Sequence, residues 1–347
     1  MARSQKPEVK TQKAYASAGV DVDLGNRVKS GIHSLVKGTH GPEVLGKIGG
    51  FGGLFQPNFQ GMKEPVLVSS VDGVGTKLKL AFALNRHDTM GQDLVNHCVD
   101  DIAVLGARPL FFLDYIGAGS LDPSVFSQLL KGFAKACKQA GCALVGGETA
   151  QMPGMYQPGE YDLAGTIVGV VDRSKMIDGS RIKVGDVVIG LASNGLHTNG
   201  YSLARKVLFE QMKLTPESLL PGLAKPLGEE LLRVHRNYQP LLASLPQKLI
   251  KGLAHITGGG LVDNLPRVLP KTCNAVIDTH AWKLPAIYEH IEKGGAVDHS
   301  EMYQVFNMGI GMTIVVAEKA APEILKLTKG RKIGRIEAGT GKVELRF

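Results

Sequence analysis

Two spacings of apolar residues run along the chain. Short runs rich in Val, Ile, Leu and Phe, bounded by turn-forming residues, predict strands at 66–71, 110–116, 143–146, 163–171, 187–192 and 310–317. Between them, apolar positions recur every three or four residues over 91–105, 124–140, 201–212, 227–243 and 284–293, which predicts helices. Short connections between the two kinds of element predict a mixed α/β (α+β) protein, with sheets covered by helices. After V-G-V-V-D the segment Arg173–Asp186 is polar and turn-rich, and a new strand, V-V-I-G-L-A, follows it. This break predicts an N-terminal domain over 1–174 and a C-terminal α/β domain over 175–347, each of ordinary domain size.

Composition changes that picture little. At 347 residues, 44% of them hydrophobic and 21% charged, the chain can fill two cores and keep a polar surface. The first residues, M-A-R-S-Q-K-P-E-V-K-T-Q-K, are polar and basic, and no stretch approaches the roughly 18 apolar residues of a membrane span. The expectation is a cytoplasmic protein with no membrane partner and with residues 1–14 as a flexible arm. Cys98, Cys137, Cys142 and Cys273 form no C-x-x-C pair and no zinc-finger spacing, so they read as reduced, buried thiols. The formal net charge is +8, yet the basic residues are scattered, and even the densest group, Lys326, Lys329, Arg331, Lys332 and Arg335, has no interleaved aromatics. A nucleic-acid partner is therefore not expected, whereas a small polyanionic substrate is compatible.

The 44 glycines carry more information, because they cluster at loops. The strand at 66–71 runs into D-G-V-G-T-K (72–77), which lacks both the G-x-x-x-x-G-K-[ST] phosphate loop and the G-x-G-x-x-G dinucleotide fingerprint. From its residues alone it is either a tight charged turn or a phosphate site of another kind. The helix at 91–105 places Leu94, Val95, Cys98, Val99, Ile102 and Leu105 on one face and Asp93, Asn96, His97, Asp100 and Asp101 on the other. Three carboxylates without a cation among them either form a solvated acidic face or hold a hard cation such as Mg²⁺ jointly with phosphates. The run Gly49, Gly50, Phe51, Gly52, Gly53 can turn backbone N–H groups toward an anion, or serve as a plain loop. A strand end at V-G-G-E-T delivers Glu148. In the second half, L-A-S-N-G-L-H-T-N-G-Y-S (191–202) and A-H-I-T-G-G-G-L-V-D-N-L (254–265) place Gly, Asn and Thr at helix starts, where anions are favoured, and each brings a histidine, His197 or His255.

Taken together, these segments resemble the aminoimidazole ribonucleotide (AIR) synthetase family. The matching stretches are Y-A-S-A-G-V-D-V-D-L-G-N (15–26), G-G-F-G-G-L-F (49–55), D-G-V-G-T-K-L-K-L-A (72–81), R-H-D-T-M-G-Q-D-L-V (86–95) and P-L-F-F-L-D-Y (109–115). They continue through G-G-E-T-A-Q-M-P-G-M-Y (146–156), Y-D-L-A-G (161–165), H-T-N-G-Y-S-L (197–203), T-G-G-G-L-V-D-N-L-P-R-V-L-P (257–270) and M-Y-Q-V-F-N-M-G-I-G-M (302–312).

The resemblance implies ATP- and Mg²⁺-dependent ring closure of formylglycinamidine ribonucleotide to aminoimidazole ribonucleotide. It also implies a homodimer in which the N-terminal sheets pair into a barrel-like core. By the same resemblance, Asp72 and Asp101 would hold Mg²⁺ and Lys77 would face phosphate. Gly49, Gly50, Gly52, Gly53, Thr76 and Glu148 would bind the nucleotide. Asn199, Gly200, Thr257, Gly258, Gly259 and Asn307 would grip the ribotide, and His197 or His255 would polarise the amide or move a proton. Three positions depart from the family pattern: Asp100 where Asn is usual, His33 near a usual Lys, and Gln151 where Glu is usual. No reactive cysteine lies by the glycine loop and none ends the chain, which separates it from selenophosphate synthetases and hydrogenase-maturation relatives.

Overall fold

The computed structural model describes residues 17–20, 33–120 and 122–347; the expected arm at 1–14 and most of the 15–26 match lie outside them. Among the described residues, the first half has a short helix α1 (His33–Lys37), then strand β1 (Pro65–Gly73), helix α2 (Leu78–Leu84) and helix α3 (Met90–Ala103). There follow β2 (Arg108–Ala118), α4 (Pro123–Ala140), β3 (Ala143–Gln151) and β4 (Tyr161–Asp172). The four strands form one sheet in the order β1-β4-β2-β3, antiparallel except for the parallel β2/β3 pair. Helices α3 and α4 pack on one face. On the other, Leu67 and Val71 of β1 remain exposed.

The second half contains β5 (Val187–Ala192), α5 (Tyr201–Arg205) with a π-helical turn at Lys206–Gln211, α6 (Leu227–Leu231) and α7 (Gln239–Ser244). It continues with β6 (Ile250–His255), α8 (Gly260–Asn264), β7 (Cys273–Asp278), α9 (Ala286–Gly295) and α10 (His299–Val305). The last elements are β8 (Ile310–Val316), α11 (Ala321–Thr328), β9 (Arg331–Ala338) and β10 (Val343–Arg346). Its six strands run in the order β10-β7-β9-β5-β8-β6, antiparallel apart from β10/β7. Among the described residues, no helix is long and apolar enough to cross a membrane. All four cysteines are free and buried.

The six expected strands are present, whereas β6, β7, β9 and β10 were not expected. Glycine, lysine or arginine breaks up β6, β9 and β10, whereas β7 is merely a short buried run, C-N-A-V-I-D: β9 reads R-K-I-G-R-I-E-A, with Ile333 and Ile336 inward and Arg331, Lys332 and Arg335 outward. The helix expected over 227–243 is two short helices separated by an extended crossing, and the one over 201–212 widens into a π turn after Arg205. The crossing has a cause in the first half of the chain. The backbone N–H of His235 donates to Asp93 Oδ1 (2.7 Å) and that of Tyr238 to Asp100 Oδ1 (2.8 Å), so these amides serve the contact with α3 instead of a helix.

Candidate active site

The polar face of α3 is not solvated. Asp93, Asn96, His97 and Asp100 are all buried, because the second half of the chain lies over them. Asp93 meets Lys77, whose Nζ lies 2.8 Å from Asp93 Oδ2 and donates to the Arg233 carbonyl at 2.8 Å. Both side chains have no solvent exposure. Burial pulls the Lys77 ammonium down and the Asp93 carboxyl up, each toward its neutral form, and their mutual contact opposes both shifts. Lys77 is therefore not placed to meet phosphate, as the resemblance implied; it ties the two halves together. Asp100 departs from the expected Asn, but burial pushes its pKa far above the usual carboxylate range. Burial thus favours the neutral acid, which has the shape of an amide and lessens the charge added beside Asp101.

Asp72 and Asp101 are the partly open carboxylates of this region, one at the end of β1 and one on α3. Asp72 Oδ2 lies 2.8 Å from His97 Nε2, and Asp101 Oδ1 lies 2.8 Å from His255 Nδ1. A continuous path of hydrogen bonds joins them through the interior. His97 Nδ1 meets Thr198 Oγ1 at 2.9 Å, Thr198 meets His235 Nδ1 at 3.3 Å, and His235 Nε2 meets His255 Nε2 at 2.9 Å. Five contacts thus link two carboxylates that only accept. Three neutral imidazoles and one hydroxyl supply one hydrogen fewer than the contacts need, so the path carries one extra proton. Burial pushes His97 down, but the hydrogen bond and charge of Asp72 outweigh it and raise its pKa, whereas burial lowers His255 and lowers His235 far more. Of the three rings, His97 is the one whose surroundings most favour holding it. Both carboxylates are held below their usual range despite burial, Asp72 by His97 and Asp101 by His255.

The remaining candidates fall into three places. His197, at φ 62°, stacks on His235 with 4.1 Å between ring centroids; its Nε2 accepts from the Asn194 N–H, while its buried Nδ1 has no partner. Burial in this cationic neighbourhood keeps it neutral, well below its ordinary pKa. Asn199, whose Oδ1 is buried without a partner, lies against Gly258, so the loops bearing Asn199–Gly200 and Thr257–Gly259 touch. Asn264 Nδ2 donates to the carbonyls of Gly258 (3.0 Å) and Gly260 (2.8 Å), fixing the second loop. Asn307 lies behind these loops, next to Phe306, which packs against Gly200 and Gly260. The asparagine is buried, with Oδ1 accepting from Tyr288 Oη (2.7 Å) and the Gly309 N–H (2.8 Å) and Nδ2 donating one hydrogen to the Gly195 carbonyl (3.0 Å), which commits its oxygen to the protein and makes it a brace between loops more than a ribotide contact.

Gly49, Gly50, Gly52, Gly53 and Glu148 line one cavity of about 500 Å³, beneath α4 and beside β3. Thr76 is outside it, exposed, with Oγ1 3.0 Å from Ser202 Oγ across the seam between the halves. The cavity also contains Asp114, which the sequence reading passed over. Cross-strand register sets Asp72, Gly165, Asp114 and Gly147 in one row, so the two carboxylates stand two strands apart, roughly 10 Å. A side chain at Gly147 would strike the Asp114 carboxylate. Burial pushes Asp114 up to about 7, from an ordinary 3.8. The folded chain keeps that proton over a range where the unfolded chain has lost it, so stability falls as pH rises from about 4 to 7. Asp114→Asn is expected to raise the thermal midpoint at pH 8, by a stability gain on the order of 2–4 kcal/mol, and to leave it unchanged near pH 4. Melting curves at the two pH values check this, and an equal shift at both would refute it.

Comparison with known proteins decides which family shares this arrangement. Residues 60–171 match the AIR synthase related protein N-terminal domain, and residues 183–346 match its C-terminal domain. The chain is 52% identical over 340 residues to the phosphoribosylformylglycinamidine cyclo-ligase of Geotalea uraniireducens, covering 95% of this chain and 98% of that protein. It is 56% identical over 316 residues to the cyclo-ligase of Citrifermentans bemidjiense, covering 91% of each. The chain belongs to the phosphoribosylformylglycinamidine cyclo-ligase family. The fold reaches further than this cyclo-ligase family. A hydrogenase maturation protein HypE in complex with ATP superposes with a TM-score of 0.67 at 16% identity, covering 95% of this chain and 93% of that one. The thiamine-monophosphate kinase of Stenotrophomonas maltophilia gives 0.65 at 19%, covering 94% and 96%. Likeness to the cyclo-ligase family pointed to Asp72, Asp101, His197 and His255, but not to His97 as a partner of Asp72, nor to His235 or Asp114. Only the placement of His97 beside two carboxylates on one helix face hinted at it.

Proposed function

We propose that this chain closes the imidazole ring of formylglycinamidine ribonucleotide, using ATP and yielding aminoimidazole ribonucleotide, ADP and phosphate, a step of purine biosynthesis. The observation that carries the reading is the convergence of Asp72, Asp101, His97 and His255 at the seam between the halves, in a chain that shares more than half its residues with cyclo-ligases. ATP supplies the phosphoryl group that turns the formamide oxygen into a leaving group, and Mg²⁺ neutralises the charge in transit.

The residues fit those groups unevenly. Asp72 and Asp101 are partly open carboxylates in one region of the seam, a donor type that suits a hard cation shared with phosphate. Gly49, Gly50, Gly52 and Gly53 cover the triphosphate and Glu148 contacts the nucleotide, with Asp114 in the same cavity. Thr76 borders the phosphates. The loops of Asn199–Gly200 and Thr257–Gly259 hold the ribotide phosphate. His197 is a neutral histidine with one unpartnered nitrogen, apt to accept a proton, and His255 is the alternative. The domains divide as 1–174 for nucleotide and dimer contacts and 175–347 for substrate. The exposed Leu67 and Val71 on the uncovered face of β1 favour a homodimer built by pairing these sheets. The location in keeping with this function is the cytoplasm.

Incubation of the purified chain with ATP, Mg²⁺ and formylglycinamidine ribonucleotide is expected to give aminoimidazole ribonucleotide and ADP in equal amounts. Folded protein that forms none, or that instead phosphorylates thiamine phosphate, would overturn the proposal.

A further inference from the structure

Helix α4 ends in a turn that brings two cysteines together. Gly141 takes a left-handed φ of 69°, its N–H donates to the Lys138 carbonyl (3.2 Å), and the next N–H, that of Cys142, donates to the Cys137 carbonyl (3.0 Å). These two bonds define a Schellman motif, in which the side chains joined by the outer bond ordinarily make an apolar contact. Here both are cysteine, and their thiols are in hydrogen-bonding contact. Such a contact requires the two Cβ atoms to face one another, which is what a disulfide needs if it is to close without backbone movement. The surroundings of the two thiols differ. Cys137 is fully buried, and burial pushes its thiol well above the usual range. Cys142 is a wall residue of a cavity of about 350 Å³ that shares no residue with the nucleotide cavity. Arg108 and Lys138 stand exposed at its rim and His40 lines it, against one carboxylate, Glu43. Cationic surroundings with access from solvent mark the cysteines that react. A cavity many times the roughly 30 Å³ share of one water in the liquid has room for a small peroxide.

We propose that Cys142 and Cys137 form a peroxide-reactive pair that closes a reversible disulfide across the end of α4, with Cys142 oxidised first and Cys137 resolving it. In the first step the Cys142 sulfur bonds one peroxide oxygen and the O–O bond breaks. The other oxygen leaves with the Cys142 thiol proton, as water when the oxidant is hydrogen peroxide, and Cys142 becomes a sulfenic acid. In the second step the Cys137 sulfur bonds Cys142 Sγ and the S–O bond breaks. The hydroxyl leaves with the Cys137 proton as a second water. Two thiols are oxidised and one peroxide is reduced. A resolving thiol already in contact intercepts the sulfenic acid before the irreversible sulfinic step, and an external thiol returns the pair to its reduced state. The other two cysteines are placed differently. Cys98 is fully buried on α3 with its Sγ 3.5 Å from the Gly165 carbonyl, and Cys273 belongs to β7 in the second half. The pair does not depend on the cyclo-ligase reading, since it lies apart from the seam and from the nucleotide cavity.

Hydrogen peroxide in small molar excess is the probe, added to the reduced full-length chain. Remaining thiols are then blocked with iodoacetamide, and the chain is digested with trypsin without reductant. Two of the four thiols are expected to be lost. Trypsin cuts after Lys138, so peptide 136–138 is expected to appear joined to peptide 139–173, at their summed mass less two hydrogens. Dithiothreitol is expected to separate them and to restore all four thiols. Cys142→Ser is expected to slow thiol loss at least tenfold, because the first attack is gone. Cys137→Ala is expected to stop at a Cys142 sulfenic acid, trapped by dimedone. Should either variant fail to fold by circular dichroism, the digest of the parent chain decides alone. Four thiols retained, a link through Cys98 or Cys273, a link between two chains, or irreversible oxidation of Cys142 without a link overturns the inference.

Discussion

Lys77→Met is expected to cost the folded chain about 3–5 kcal/mol in urea unfolding, because it strands the Asp93 carboxylate with no solvent and no cation. The lost ion pair itself contributes less than that figure, since desolvation of both groups offsets most of their attraction. The control is the double change Lys77→Met with Asp93→Leu, which removes both charges and is expected to recover much of the loss. Asp93 also accepts the His235 N–H, so the recovery stays incomplete. A Lys77→Met protein as stable as the parent would mean that the pair is neutral when folded. A Lys77→Met protein that lost phosphate affinity while keeping its stability would restore the phosphate role that burial argues against.

Asp72→Asn is expected to lower turnover about 10²- to 10³-fold, the scale of removing one preorganised electrostatic contact. The amide keeps the shape of the side chain and can still bond the Gly73 N–H, so the fold is expected to persist. What it loses is the charge that holds the His97 proton and, in the proposed reaction, the cation. The dependence of turnover on divalent-ion concentration should therefore shift to higher concentrations as well. Steady-state assays across a Mg²⁺ and Mn²⁺ series measure both effects, and normal turnover with normal ion dependence would remove Asp72 from the cation site.

Much of the fold could be read from local pattern, and the reasons are specific. Strand β1 and helix α3 declare themselves because their apolar positions follow periods of two and 3.6. Strands β9 and β10 do not, since charged residues occupy their outward positions and their apolar content is spread thin, and β7 offers only the short run 275–277 beside Cys273 and Asn274. The break between α6 and α7 was hidden for another reason. It exists because the His235 and Tyr238 amides bond carboxylates about 140 positions earlier, Asp93 and Asp100, and no local window contains that partner.

The site divides the same way. Asp72, Asp101, His197 and His255 sit in motifs that announce chemistry. The assignments that changed, Lys77 and Asn307, turn on three-dimensional partners: Lys77 is absorbed by Asp93 and a carbonyl from the second half, and Asn307 by Tyr288 and two loop backbones. His97 escaped notice because its ring completes a path whose next member, Thr198, is 101 residues away. Asp100 shows the converse: a departure visible in sequence that burial renders nearly silent.

The hydrogen-bonded path from Asp72 to Asp101 alternates between the halves of the chain, leaving the first at His97, running through Thr198, His235 and His255, and returning. With Lys77–Asp93 and the two crossing amides beside it, this seam is riveted at several points that would have to part together. Hinge-like gaping of the molecule during each catalytic cycle would break buried polar contacts with no water to replace them. The docking of the halves is thus a folding event, completed once. In the proposed reaction, admission of the nucleotide would then fall to the glycine loop at 49–53, which lines a cavity apart from those contacts.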